Sequence, residues 1–463
     1  MEDEDFFDLL SLVDRFNEML SSRDVQYFDV DQFEAVSDYY YELGKVSKAL
    51  KVIEIAAEQH PYHHSFYFRK IQYLTAGNHT SQARREIDKL AEHAPDSLEL
   101  HLARASLFSK LGQHQKAIHH YRESLQLSDF PEEIWSLLAL EYQLIGNYEK
   151  AKKYLKLSLE VIPDDEISIY NLALCFDLLE KSEEGISYFE KFIDLNPYSE
   201  IAWYHLGIMH TRQKEYEQAL RAFDYALLID EYFSAAYFEK ARTLERTFRY
   251  KEAAEVYEET FEIDGPTGFA YYKIGLCYLQ MHQRKKALSN FTKAIREDDE
   301  LDEAFFELAL MKDEDEQWDE AVFYMSKALE LDPDNPEYMS VNADILRRAG
   351  KLDEAEIQYE LLVEHGVTDA RVFIDYAELL FDMCEFDNGM EVLYSGLQHN
   401  ETSAEMNYRV AGYLYTLQEN DEADIYFEKG LKLDADRRRY FFELFPKLKN
   451  HPAVKRIMAA TLR

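Results

Sequence analysis

Cysteine, proline and glycine are scarce in this chain, at 3, 10 and 15 of 463 residues. The three cysteines, Cys175, Cys277 and Cys384, lie far apart and form no CxxC pair, a pattern that fits a reducing compartment. No Gly/Ser/Pro-rich stretch interrupts the chain as a linker would, and no apolar run approaches the length needed to cross a bilayer. Bases are outnumbered, with 51 Lys and Arg against 90 Asp and Glu and a formal net charge of −39. Such a chain repels phosphate backbones, which argues against DNA or RNA as a partner. The opening Glu2, Asp3, Glu4 and Asp5 are the opposite of a signal peptide's basic lead, so a cytoplasmic location is expected.

Motifs of catalysis are missing as well. There is no glycine-rich phosphate loop, GxSxG elbow or HExxH pair. The neighbours His63–His64 and His119–His120 would point in different directions on a helix, and His205 and His210, five apart, fall off a common face. Acidic clusters such as Asp299–Glu300 and Asp313–Glu316 lack the spacing and glycine of a calcium loop. No catalytic residue, metal or cofactor is expected, and the chain reads as a non-enzyme.

What the chain does have is a period. In blocks of 34 it falls into register with itself twelve times, from Val30 to Arg437, without an insertion or deletion. Block position 20 is Ala or Gly throughout: Ala49, Ala83, Ala117, Ala151, Gly185, Ala219, Ala253, Ala287, Ala321, Ala355, Gly389 and Ala423. Position 8 is small in all blocks but the second, which has Ile71, and positions 4 and 24 favour large apolar residues such as Trp135, Trp203, Phe223 and Phe291. Positions 4, 7, 8 and 11 share one helical face, and so do 20, 24 and 27, so each block encodes two helices in close contact. Gly44, Gly112, Gly146 and Gly350 mark the turn between them near position 15, and Pro61, Pro95, Pro163, Pro197 and Pro333 mark the break before the next block.

This period and its pattern, shown well by Trp203, Leu206, Gly207, Ala219, Phe223 and Ala226, resemble the tetratricopeptide repeat family. The resemblance implies an all-α fold: a right-handed α-solenoid superhelix of stacked antiparallel helix pairs with capping helices at both ends. Blocks are expected to start at 30, 64, 98, 132, 166, 200, 234, 268, 302, 336, 370 and 404. Residues 1–29 would form an N-terminal cap, with Phe6, Leu9, Leu10, Val13, Phe16 and Leu20 on one side of a helix. Residues 438–463 would form a basic C-terminal cap ending in a helix around Ala453 to Leu462, because Phe445 is too large for position 8 of a further repeat.

The resemblance also implies a groove lined by positions 2, 5, 9, 12 and 13 of each first helix. Blocks five to nine place there Ile167, Tyr170 and Leu174, then Ile201, Tyr204 and Ile208, then Phe238 with Arg242 and Arg246. Phe269, Tyr272, Leu276 and Leu279 follow, then Phe306 and Leu310, with Arg212 and Lys273 among the bases near the stripe. Two readings stand. Either these side chains pack against neighbouring first helices, with the arginines paired to Glu239 and Glu245, or the groove holds an apolar or amphipathic protein segment whose acids meet the arginines. The family's carboxylate clamp for chaperone tails is absent, since no position 5 is Lys and no position 9 is Asn.

The expected function is therefore a protein-interaction scaffold or adaptor. Alternatives are a regulatory solenoid that senses a peptide or ligand, and an accessory factor for folding or export of nascent chains. Residues 437–463 carry eight bases and one acid. They read first as a cap complementing the acidic repeats, and otherwise as a dock for an acidic partner, the ribosome or membrane-associated machinery.

Overall fold

The computed structural model describes residues 3–22, 26–61, 63 and 65–461. Expectations placed on the Phe6 side chain, His64 and Leu462 lie outside the described residues. Among the described residues the chain is all α, with 27 α-helices, two short 3-10 segments and no strand.

Two compact units divide the chain. The first, Met1–Glu239, begins with α1 (Asp3–Ser22). Helix pairs follow: α2–α3 (Val30–Glu42, Val46–Gln59), α4–α5 (Ser65–Ala76, Thr80–His93) and α6–α7 (Leu98–Lys110, His114–Leu127). Next come α8–α9 (Glu132–Leu144, Tyr148–Val161), α10–α11 (Glu166–Leu178, Ser182–Leu195), α12–α13 (Glu200–Arg212, Tyr216–Ile229) and the start of α14 (Ser234–Arg246). The second unit, Lys240–Arg463, takes the rest of α14 with α15 (Tyr250–Glu259), then α16–α17 (Gly268–Gln280, Arg284–Glu297) and α18–α19 (Asp302–Glu314, Trp318–Leu331). It continues with α20–α21 (Pro336–Arg348, Leu352–Glu364), α22–α23 (Ala370–Asp382, Phe386–His399) and α24–α25 (Ala404–Thr416, Asn420–Leu433). It closes with α26 (Arg438–Leu444) and α27 (Pro452–Thr461).

Local chemistry sets these boundaries. The side chains of Ser97, Asp165, Ser199, Thr267, Asn335, Asp369 and Ser403 accept hydrogen bonds from backbone N–H groups of the first turn that follows, satisfying donors a helix start leaves open. Helices α3, α5, α9, α11 and α19 each stop two residues before a proline. The turn between the helices of a pair places one residue in the left-handed region every time. Gly44, Gly112, Gly146 and Gly350 do so, and so do Asn78, Glu180, Lys214, Phe248, His282, Glu316, Cys384 and Gln418, with φ between 55° and 75°.

Packing explains the small-residue columns. Every alanine of position 20 is fully buried. At Gly207 an added Cβ would lie 2.5 Å from the Phe223 ring, and at Gly275 it would lie 2.5 Å from Phe291. A phenylalanine at position 24 thus occupies the space a side chain at position 8 would need. Where position 8 is instead Ile71, position 24 is the smaller Ile87, and both are buried in one cluster. At Gly185 the intruding neighbour is Met209, 2.6 Å from the added Cβ.

At the N-terminal end, α1 buries Val13, Phe16 and Met19 against Phe28 and Phe33, with Phe16 edge-on to Phe28 at 5.8 Å. Leu20, expected on that face, is exposed, because the buried stripe runs through Met19 instead. At the C-terminal end, Phe445 lies against Gly412, where any Cβ would collide with its ring, and meets Tyr413 edge-on at 5.2 Å.

Candidate partner-binding surface

The first helices carry their small positions toward the second helices and leave the opposite face to solvent. In the first unit that face is apolar over two neighbouring helices. On α10, Ile167 and Tyr170 are 73% and 57% exposed, and Leu174 and Leu178 are exposed beyond them. On α8, Leu137, Leu140 and Leu144 are exposed as well. The helices are tied directly, since Gln143 Nε2 donates to the Asn171 carbonyl oxygen at 3.3 Å and to Cys175 Sγ at 3.4 Å. The two linked helices thus carry seven large apolar side chains exposed to solvent.

The stripe changes character on α12. Ile201, Tyr204 and Ile208 are only half-exposed, and Tyr204 packs on Phe233 with ring centres 5.0 Å apart. His205 is buried beside Tyr170, its ring edge-on at 5.5 Å, and its Nε2 has no hydrogen-bond partner. Burial, helped by Arg212, pushes its pKa down to about 4, so the imidazole is neutral and serves as an aromatic wall under Tyr170. Arg212 is committed within the unit, because its guanidinium ion-pairs with Asp177 of α10. Burial lifts the Asp177 carboxyl above its usual range, and Arg212 opposes that rise.

Phe238, half-buried, ends the first unit's part of the stripe, and Arg242 and Arg246, both exposed, begin the second unit's part. Glu245 accepts a hydrogen bond from Cys277 Sγ at 3.7 Å. Phe269 is 45% exposed, while Tyr272, Leu276, Leu279, Phe306 and Leu310 are half-buried. Lys273 Nζ stands over the rings of Phe269 and Tyr272 at 5.3 and 5.6 Å. Phe306 stacks on Tyr338 at 4.6 Å, and Tyr338 Oη donates to Asp302 at 2.8 Å. Leu137, Leu140, Leu144 and Leu178 lie outside the expected stripe. Leu140 and Leu144 hold positions 9 and 13 of block four, but Glu133 and Ser136 at its positions 2 and 5 mask the pattern.

Burial raises the Cys175 thiol, and burial with Glu245 pushes Cys277 up to about 12, so neither is a thiolate at neutral pH. Among the described residues no group of three or more His, Cys, Asp or Glu is placed to hold a metal ion. No helix among them is long and apolar enough to cross a membrane. At the basic C-terminal end Arg437 pairs with Glu405 at 2.8 Å and Arg456 with Asp424 at 2.6 Å, so part of that charge complements the preceding helices.

Models of the tetratricopeptide repeat match residues 98–130, 132–165, 170–234, 234–266, 270–300, 314–379 and 404–437, together more than half of the chain. The chain belongs to the tetratricopeptide repeat family. It is similar to two crystal structures of MamA, each at 23% identity: one covers 36% of this chain and 92% of that chain with a TM-score of 0.33, the other 35% and 95% with a TM-score of 0.32. It is also similar to YrrB, described as a TPR protein with an unusual peptide-binding site, at 21% identity over 38% of this chain and 91% of that chain, with a TM-score of 0.32. Likeness at this level says nothing of what this chain binds. No curated protein matches the sequence. Within this tetratricopeptide chain a second set of exposed apolar residues, Leu195, Tyr198, Leu228 and Tyr232, lies at the ends of second helices and in the loops after them, away from the first-helix face.

Proposed function

We propose that this tetratricopeptide repeat protein is a non-enzymatic, cytoplasmic scaffold that holds an apolar or amphipathic protein segment against the exposed face of its first helices, centred on α8 and α10. The observation that carries this reading is the surface of Leu137, Leu140, Leu144, Ile167, Tyr170, Leu174 and Leu178. Soluble monomers rarely leave so many large apolar side chains contiguous on one face unless something covers them. Each buried side chain of this kind contributes roughly 1.5–3 kcal/mol on transfer from water, enough for a specific complex once ordering costs are subtracted. The rigid helix pairs beneath the surface supply preorganisation.

The test is capture of partners from native lysate by the wild-type chain and by a Tyr170→Glu/Leu174→Glu double variant. Both residues are exposed, so the fold is expected to survive, which circular dichroism verifies. A partner held by the wild type and absent from the variant supports the reading. Retention of every partner by a folded variant contradicts it.

A further inference from the structure

Near the start of the first unit the first-helix face is polar rather than apolar. There α2, α4 and α6 border a pocket of about 350 Å³, lined by Gln72, Thr75, Ser106, Ser109 and Lys110 together with Asp38, Tyr41 and Tyr73. The one carboxylate in this lining is already answered: Asp38 accepts the Tyr73 hydroxyl at 2.8 Å and pairs with Arg69. Tyr41 stacks on Tyr73 with ring centres 4.7 Å apart. By contrast, the side chains of Gln72, Thr75, Ser106, Ser109 and Lys110 make no hydrogen bond or ion pair among the described residues.

Thr75 is 3% exposed, yet its Oγ1 has no partner. Thr211 holds the same block position and turns its hydroxyl back to the Gly207 carbonyl oxygen at 3.0 Å, a bond open to a helical threonine. Thr75 forgoes that bond and lines the pocket. A buried hydroxyl without a partner is unfavourable in the free chain, and an acceptor arriving from outside relieves it. All five groups can donate, and the Lys110 ammonium is the one that carries charge. Four neutral donors and one cation, with no unanswered carboxylate beside them, select a compact anion rich in acceptor oxygens. A phosphate monoester offers three such oxygens and close to two charges at neutral pH, where a carboxylate offers two oxygens and one charge.

We propose that this pocket holds the phosphate of a phosphorylated serine or threonine in a partner protein, its oxygens accepting from Gln72, Thr75, Ser106 and Ser109 and its charge met by Lys110. Gln72 also lines the adjoining groove, where Phe68, Leu98 and Leu102 lie half-buried, so residues beside the phosphate have apolar ground to rest on. That continuity favours a protein-borne phosphate over free phosphate. The net negative charge of the chain opposes a long polyanion along its whole length. A single phosphate answers instead to the donors within a Debye length of it, about 8–10 Å. The site stands apart from the apolar surface on α8 and α10 and does not depend on the reading of that surface.

The experiment titrates the full chain into a fluorescent peptide of leucine and alanine with one central phosphoserine, read by anisotropy, beside its serine twin and its glutamate twin. The phosphopeptide is expected to bind about tenfold more tightly than either twin, and more tightly as pH rises through about 6, where phosphate gains its second charge. Thr75→Val/Lys110→Met is expected to weaken binding about tenfold. Lys153→Met, which removes an exposed base from the second helix α9, is expected to leave it unchanged. Thr75→Val alone keeps the side-chain shape and is expected to melt no lower than wild type, because no hydrogen bond is lost. A lower melting temperature would give the hydroxyl a structural role and overturn the inference. So would absence of phosphopeptide binding, or binding that survives Thr75→Val/Lys110→Met. Equal binding of the glutamate twin would overturn phosphate in favour of a carboxylate. Competition by inorganic phosphate as strong as that by unlabelled phosphopeptide would overturn the protein-borne source. Tyr170→Glu/Leu174→Glu is expected to leave phosphopeptide binding unchanged, so failure of this site leaves the scaffold reading standing.

Discussion

His205 shows how a single side chain can be read two ways. In sequence it is one of 15 histidines and pairs with nothing. In the structure it is buried beside Tyr170 and Phe189 with an unpartnered Nε2, and burial holds its pKa at about 4. A folded-state pKa below the ordinary value means the folded chain binds fewer protons than the unfolded chain between pH 6.5 and about 4. Its contribution to stability is therefore full above pH 6.5 and is lost as pH falls through that window. His120, also pushed down to about 4 by burial and by His101 and His119, acts in the same direction. We expect His205→Leu to flatten the loss of stability between pH 6.5 and 4, read from denaturant midpoints at several pH values. An unchanged slope would mean that His205 is not held neutral by burial.

Among elements, the helix pairs were legible and their turns only partly so. Alanines at position 20 and the exchange between Gly207 and Phe223 state their packing in sequence, because a buried contact restricts residue type. The left-handed turn residue is different. The backbone demands φ near +60° in twelve turns, yet glycine meets the demand in only four. Lys214, Phe248 and Glu316 meet it at exposed tips, where roughly 1–2 kcal/mol of local strain is carried by the surrounding structure and leaves no sequence signal. Lys214→Gly and Glu316→Gly are each expected to stabilise by up to about 1 kcal/mol, the relief of strain exceeding the added freedom of the unfolded chain. Thermal melts of the single variants and the pair test this, and a lowered melting temperature in each would contradict it. In α1 the same limit appears at the end of the helix: Met19 and Leu20 both suit an apolar face, and packing on Phe28 and Phe33 chose Met19.

For the molecule as a whole, periodicity made the repeat fold readable from residues alone, while the proposed binding face was readable only as a set of positions. Those positions name the residues that can face a partner; neighbouring side chains decide which of them stay exposed. Tyr204 is half-covered by Phe233, whereas Tyr170 is not covered, and Leu137 joins the surface from a position outside the pattern. The same neighbours turn Arg212 inward to Asp177. Sequence can count such charges but cannot pair them.

The most direct measurement is site-specific photo-crosslinking in native lysate, with a photoreactive phenylalanine analogue at position 170 and, separately, at position 198. Tyr198 is the more exposed of the two, at 83% against 57%, so exposure alone favours adducts at 198. A discrete protein adduct at 170, with none of that species at 198, is the expected result. Adducts formed at 198 and absent at 170 would place binding on the loop edge and contradict a partner held on the first-helix face.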